Sequence, residues 1–174
     1  IFTSGEPIGS MLEELVQKEA ITFEAVKTAN WTRESFVAVD DNTNSQYRFG
    51  FSGSAISEDE QKEIMATIQE IKPKYLVLSG SLNEGLPTDY YKNIADLAKQ
   101  SGSKVIVDTS GEALQKVLET GVYLIKPNVG ELAKLIGVER LEMDEVVHAA
   151  QTLIEKGSAE IIVVSLGPQG AVLV

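Results

Sequence analysis

Cysteine is absent from this chain, histidine occurs once, and no apolar run approaches the roughly 20 residues that a membrane-spanning helix needs. Without cysteine there is no disulfide framework, no thiolate nucleophile and no thiolate metal site. Nothing else points to a secreted protein, and no signal peptide is recognisable, so a cytoplasmic protein with no membrane partner is expected. The lone histidine, His148, leaves no Ser-His-Asp constellation and no Cys/His metal cluster to propose. It lies off the apolar stripe of its helix and reads as a solvated surface residue. Basic residues are scarce as well: 15 Lys and Arg stand against 26 Asp and Glu, a net charge of −11. So acidic a surface argues against nucleic acid and anionic membranes as partners. An anionic substrate would then depend on a few local cations, and Arg33, Arg48 and Lys126 qualify by position.

What is present is an ordinary globular composition, 43% apolar over 174 residues, enough for about one domain. The chain opens on Ile1-Phe2 and closes inside Ala171-Val172-Leu173-Val174, a strand-like run. Both ends are expected to cut through regular structure, so the sequence reads as part of a longer protein. It has no internal repeats and no low-complexity linker.

The stretch around which the rest is arranged is LIKPNVGELAKL, residues 124–135. A short apolar strand, 122–125, runs into Lys126-Pro127-Asn128, and a helix begins at once. Asn128 followed by Glu131 is a capping-box spacing, which alone marks a helix start. A lysine and a cap residue at the carboxyl end of a strand also stand where open α/β sheets bind ligands. Helix amides, the helix dipole and Lys126 would favour an anion there. Glu131, one turn in, lies within reach of a hydrated metal ion accompanying that anion.

Before this stretch, Ile8, Met11, Leu12, Leu15 and Val16 fit one face of a helix that comes after a turn at Gly5 and Gly9. Residues 21–52 differ in character. Three short runs, 22–27, 35–40 and 46–51, are rich in Thr, Val, Phe and Tyr, and 41–44 is a turn signal between the last two. They predict a small antiparallel sheet, inserted into an α/β core formed by 1–20 and 53–174. Such a sheet is too small to be stable alone. Its aromatic residues, Trp31, Phe36, Tyr47, Phe49 and Phe51, suit a surface that meets a partner.

From residue 57 onward strand and helix alternate. Ser57 and Glu60 cap a helix with Ile64, Met65, Ile68 and Ile71 inward, and Pro73 ends it. Strands are predicted at 75–78, 104–107, 122–125 and 160–164, and helices at 88–100, 112–119, 130–136 and 144–156. The last has Met143, Val146, Val147, Ala150, Leu153 and Ile154 on one side. This alternation predicts a parallel sheet with helices on both faces. Each strand after residue 74 ends in a polar cluster: 79–81, 108–111, 126–128 and 165–170. In a parallel sheet all four share one edge and one crevice. Asp108 reads equally as a metal or proton partner and as a solvated helix-start residue. The segment 165–170 reads as a turn over a nucleotide or as a strand-to-strand hairpin. It has neither the Walker loop pattern nor Gly-x-Gly-x-x-Gly.

Four runs in order, Ser-Gly-Ser-Leu (79–82), Val-Asp-Thr-Ser-Gly-Glu-Ala-Leu (107–114), Lys-Pro-Asn-x-x-Glu-Leu (126–132) and Val-Ser-Leu-Gly-Pro-Gln-Gly-Ala (164–171), resemble the ribokinase-like sugar kinases. Within these the sequence is most similar to the minor-type ATP-dependent 6-phosphofructokinases. Trp-Thr-Arg (31–33) and Gln-Tyr-Arg-Phe (46–49) are similar to that subgroup's β lid. The resemblance implies a ribokinase-like fold with a small β lid that dimerises, and ATP and Mg²⁺ as cofactors. The implied reaction is transfer of the γ-phosphoryl group to a ketohexose phosphate, fructose 6-phosphate first. Fructose 1-phosphate and tagatose 6-phosphate are the alternative acceptors.

The resemblance further implies that Ser81 contacts the sugar phosphate and that Arg33 clamps the substrate phosphate across a dimer interface. Lys126 and Asn128 would touch nucleotide phosphates, and Glu131 would organise Mg²⁺ through water. Ser165, Leu166, Gly167 and Gly170 would lie near the nucleotide. The family's glycine-rich sugar segment belongs before Ile1, and its Gly-x-Gly-Asp motif, with the catalytic aspartate, after Val174. The enzyme expectation therefore concerns the parent protein. Readings from other classes are a non-catalytic nucleotide- or sugar-phosphate-binding module and a scaffold whose polar loops are structural.

Overall fold

The computed structural model describes residues 1–51 and 53–174. Ser52, the expected last residue of the inserted segment, lies outside the described residues. The fold is α/β, with a mainly parallel sheet, helices and a small antiparallel sheet. The chain divides into two compact units, Ile1–Thr67 with Asn83–Leu86, and Ile68–Leu82 with Pro87–Val174.

In the first unit, β1 (Phe2–Ser4) pairs in parallel with β2 (Ala25–Lys27), and helix α1 (Ile8–Lys18) connects them. The first of the three runs expected in the small antiparallel sheet thus joins β1 instead. A crossover helix of 11 residues makes that parallel pairing possible. Only β3 (Ser35–Asp40) and β4 (Ser45–Gly50) form the antiparallel hairpin. Its turn is held by the Asp40 carboxylate, which accepts from the Asn42 amide and the Thr43 hydroxyl, both at 2.9 Å. The Asn42 amide, and after it Thr43, holds the Asp40 carboxyl below its ordinary range. The apolar face predicted for α1 is only partly covered within this unit: Met11 is 60% exposed and Leu15 49%.

The segment leading into the hairpin is tied down at its base. Asn30 Nδ2 donates to Ala55 O at 2.8 Å, and Ser54 Oγ donates to Trp31 O at 3.0 Å. Gly5 N donates to Thr32 Oγ1 at 2.8 Å, while Thr32 N donates to Gly5 O at 3.2 Å. This approach explains Gly5: a Cβ there would lie 1.7 Å from the Asn30 carbonyl oxygen. The obstruction is backbone on both sides, so repacking a side chain cannot relieve it. Gly5→Ala is expected to destabilise the protein by more than about 3 kcal/mol. Urea unfolding checks it, and a loss below about 1 kcal/mol would contradict the close approach.

Helix α2 (Glu58–Ile71) starts with the expected capping box. The Ser57 amide donates to Glu60 Oε2 at 2.6 Å and the Glu60 amide to Ser57 Oγ at 3.3 Å. The last turn of α2 begins the second unit. There β5 (Tyr75–Ser79), β6 (Lys104–Asp108), β7 (Val122–Ile125) and β8 (Ala159–Ser165) are parallel, and β9 (Ala171–Leu173) returns antiparallel to β8. Their order in the sheet is their order in the chain. The connecting helices are α3 (Tyr90–Gln100), α4 (Gly111–Leu118), and the pair α5 (Val129–Ile136) and α6 (Val146–Glu155).

The alternation predicts helices on both faces, but within this unit right-handed crossovers between strands added in one direction put α3 to α6 on one face. Burial agrees with that geometry. Leu78, Val107, Ile125 and Ile162 are in register and buried, forming the core row under the helices. In the next row, Val77 is 57% exposed and Ile106, Leu124 and Ile161 are half-buried. On α6, Val146, Ala150 and Leu153 are buried as predicted, but Met143 and Val147 are exposed and Ala149 takes a core position. The helix begins at Val146, so Met143 precedes it and its phase is set by Val146, Ala149, Ala150 and Leu153. His148 is exposed, as its position off the stripe predicts.

Candidate active site

In a parallel sheet every strand points the same way, so the loops that leave the strands' carboxyl ends gather at one edge. Ser79 pairs with Asp108 at the ends of β5 and β6, and the Gly80 amide donates to Asp108 O at 3.0 Å. The Lys126 amide, just past β7, donates to Val107 O at 3.1 Å. Asn128 forms a parallel bridge with Ser165, whose amide donates to Pro127 O at 2.9 Å. The four polar clusters expected to converge do so in one continuous row within the second unit.

Asp108 and Lys126 form an ion pair, Oδ1 to Nζ at 3.2 Å, with side chains 43% and 46% exposed. At that exposure the pair contributes only about 0–1 kcal/mol. Lys126 is therefore anchored by its backbone while its ammonium can exchange Asp108 for a more highly charged anion at little cost. Asn128 and Glu131 form the predicted capping box in full. Glu131 N donates to Asn128 Oδ1 at 2.9 Å, and Asn128 N donates to Glu131 Oε2 at 2.9 Å. The cap absorbs the Glu131 amide and leaves the first two helical amides without intrahelical acceptors, as at any helix start. The helix-start reading and the anion-site reading of this stretch thus coexist.

Beyond β8, residues 165–170 are also both things at once. Leu166 N donates to Gly170 O at 2.8 Å, and Gly167–Gln169 forms a single 3-10 turn before β9. It is a hairpin connection, and it lies at the same edge as Lys126 and Asn128. Ser81 is exposed and comes immediately after Gly80, which is tied to the Asp108 loop. Arg33 lies in the first unit, next to the anchored Thr32.

Two residues that sequence reasoning passes over shape this edge. From the sequence Thr109 is only part of a loop and Tyr91 an inward helix position, yet both donate to the turn after β5. Thr109 Oγ1 reaches Gly80 O at 2.8 Å, and Tyr91 OH is 3.2 Å from both Ser79 O and Gly80 O. The one signal for them is a hydroxyl residue directly after a strand-terminal aspartate, facing a turn glycine on the neighbouring strand.

The donor set suits a polyphosphate with its hydrated magnesium better than a bare metal ion. A cation, a helix start and a glycine turn stand together. Among the described residues no group of three or more His, Asp or Glu is arranged to hold a metal. Magnesium typically keeps several waters and leans on substrate phosphates rather than on an all-protein cage. No helix among the described residues is long and apolar enough to cross a membrane.

A mainly parallel α/β sheet whose strand ends collect a lysine, a capped helix start and a glycine turn defines an edge suited to phosphate groups. The model of the pfkB family carbohydrate kinases matches residues 2–174, and the chain belongs to that family. The ATP-dependent 6-phosphofructokinase isozyme 2 of Mycobacterium tuberculosis is 38% identical over 175 residues, covering 99% of this chain and 51% of that protein. The isozyme 2 of Escherichia coli is also 38% identical, over 98% of this chain and 56% of that protein. The 1-phosphofructokinase of Bacillus subtilis is 35% identical over 75% of this chain and 43% of its own length. The crystal structure of the Escherichia coli phosphofructokinase-2 in complex with fructose-6-phosphate matches with a TM-score of 0.94 at 37% identity, over 99% of this chain and 58% of that one. A tetrameric inhibited form of the same enzyme matches at 0.93, over 99% of this chain and 58% of that one. The chain thus spans about half the length of the curated relatives it matches.

Proposed function

We propose that the protein transfers the γ-phosphoryl group of ATP to a ketohexose phosphate, converting fructose 6-phosphate to fructose 1,6-bisphosphate in the cytoplasm. The observation that carries this reading is the continuous row of strand-end groups from Gly80 to Gly170. It is supported by identity to 6-phosphofructokinases across almost the whole chain. A second acceptor, fructose 1-phosphate, is favoured by the match to a 1-phosphofructokinase.

Phosphoryl transfer needs little covalent help from the protein and much positioning and charge neutralisation. Lys126 neutralises the nucleotide phosphates, Asn128 and the start of α5 hold them, and the 165–170 turn borders the nucleotide. Glu131 would hold the water shell of a bound magnesium ion, which would supply further neutralisation of the phosphate charge. Asp108 orients Lys126 and is a candidate for the same water shell. Ser81 hydrogen-bonds the sugar phosphate. Arg33, in a lid formed by residues 21–52, clamps the substrate phosphate of the partner protomer in a homodimer. Its planar fork suits phosphate oxygens.

The test is an acceptor panel with full-length protein and Mg-ATP. The highest kcat/KM is expected with fructose 6-phosphate, and no turnover with any ketohexose phosphate would overturn the kinase reading. Glu131→Gln is expected to raise the Mg²⁺ concentration for half-maximal rate about tenfold, since a neutral amide holds a hydrated dication poorly. The cap survives the change in shape, so an unchanged magnesium titration would leave Glu131 only its capping role.

A further inference from the structure

The turn after β5 is over-determined by hydrogen bonds that secondary structure does not require. Gly80 has φ +97°, a conformation natural to glycine, and its carbonyl thereby turns out of the strand line. That one oxygen receives two side-chain donors. Thr109 Oγ1 reaches it at 2.8 Å from the end of the neighbouring strand, with Thr109 only 8% exposed. The Tyr91 phenol, from the first turn of α3, lies 3.2 Å from it and 3.2 Å from Ser79 O. The Gly80 amide is held as well, by Asp108 O at 3.0 Å. Tyr91 can do this because side chains in a helix slope back toward its N-terminus, and in a β-α unit that end lies beside the carboxyl end of the preceding strand. Burial pushes the Tyr91 phenol above its ordinary range, so it remains a neutral donor. The amide bond to Asp108 is the last rung of the β5–β6 ladder, but neither strand nor helix requires the two side-chain bonds. Together they fix the orientation of the peptide that leads directly into Ser81.

We propose that Tyr91 and Thr109 are positioning residues that set the Ser81 hydroxyl and backbone for the sugar phosphate; this rests on the kinase reading, in which Ser81 touches that substrate. Neither residue touches substrate. Each acts through the Gly80 carbonyl, and the effect is therefore largest on the acceptor side of the site. The nucleotide side is built on Lys126, Asn128 and the 165–170 turn, none of which bonds the Gly80 carbonyl.

The test uses full-length protein and four forms: wild type, Tyr91→Phe, Thr109→Val and Thr109→Ser. Tyr91→Phe and Thr109→Val each remove one neutral hydrogen bond and are expected to raise the KM for the sugar phosphate about 3- to 10-fold. KM for ATP should stay within about twofold, because no nucleotide contact is altered. Thr109→Ser keeps the hydroxyl and should restore the sugar-phosphate KM. Amide exchange at Gly80 reads the same turn without any turnover, and should quicken in Tyr91→Phe and Thr109→Val but not in Thr109→Ser. Equal changes in both KM values, or an unchanged sugar-phosphate KM in variants of a wild type that turns over, would overturn the positioning role and leave the kinase reading intact. Unchanged Gly80 exchange would overturn it as well. A wild type that phosphorylates no ketohexose phosphate sinks the kinase reading itself, and the role assigned to these two residues falls with it.

Discussion

Arg33→Ala is expected to raise the KM for fructose 6-phosphate about 10- to 100-fold while changing the KM for ATP by less than about threefold. The chain is strongly acidic, so the dianionic phosphate of the substrate must be met by cations placed for that purpose. Arg33 comes directly after Thr32, whose amide and hydroxyl are both bonded to the backbone of Gly5. The arginine is thus launched from a fixed backbone point, so clamping a phosphate costs side-chain rather than backbone freedom. A hydrogen-bonded charge pair with phosphate is worth about 1.5–3 kcal/mol, which sets the size of the effect. Steady-state kinetics on the full-length variant with each substrate varied in turn checks the split. Equal increases in both KM values would remove Arg33 from the acceptor side.

Phe36→Asp is expected to convert the assembled protein to monomers and to abolish most of its activity. In the β3–β4 hairpin, Phe36 pairs with Phe49 and Ala38 with Tyr47, so these four share one face. The Phe36 and Phe49 rings stack with centroids 4.6 Å apart, and Phe51 lies 6.3 Å from Phe36. Phe36 is nevertheless 54% exposed, Phe49 47%, Tyr47 56% and Trp31 67%. A two-stranded hairpin with an uncovered aromatic face is not stable by itself. A second copy of the same hairpin is the cover we propose, and a charge at its centre would be buried without a partner. Sedimentation velocity of wild type and variant decides the matter. An unchanged oligomer would place the subunit interface elsewhere, and a fully active monomer would contradict the supply of Arg33 across it.

How much of this is readable beforehand can be traced residue by residue. The capped start of α5 is plain, because Asn128 and Glu131 carry a local signal that needs no tertiary contact to act. The core strands are plain for a related reason: continuous apolar runs bounded by glycine and proline leave few alternatives. The convergence of four polar clusters comes from topology alone, since parallel strands leave their outgoing loops at one edge. The partner of Ala25–Lys27 is not legible, because a three-residue strand contains no information about what it pairs with. Met143 is exposed because α6 starts two residues later than expected, and Val147 because the buried stripe runs through Val146, Ala149, Ala150 and Leu153 instead. Tyr91 and Thr109 are hidden for a deeper reason. Both act on the backbone of another strand, and a donor's acceptor 11 to 29 positions away leaves no mark on the local pattern.

The proposed chemistry stands on a single placement, the triphosphate of the nucleotide against Lys126, Asn128 and the Gly167 turn, with the acceptor beside Ser81. A crystal structure of the full-length protein with a non-hydrolysable Mg-ATP analogue and fructose 6-phosphate measures it directly. The expected result is a phosphate within hydrogen-bond distance of Lys126 Nζ, displacing Asp108 from it, and a sugar phosphate in contact with the residue 79–81 turn. Nucleotide density at any other edge of the sheet, with the Asp108–Lys126 pair still closed, would contradict it.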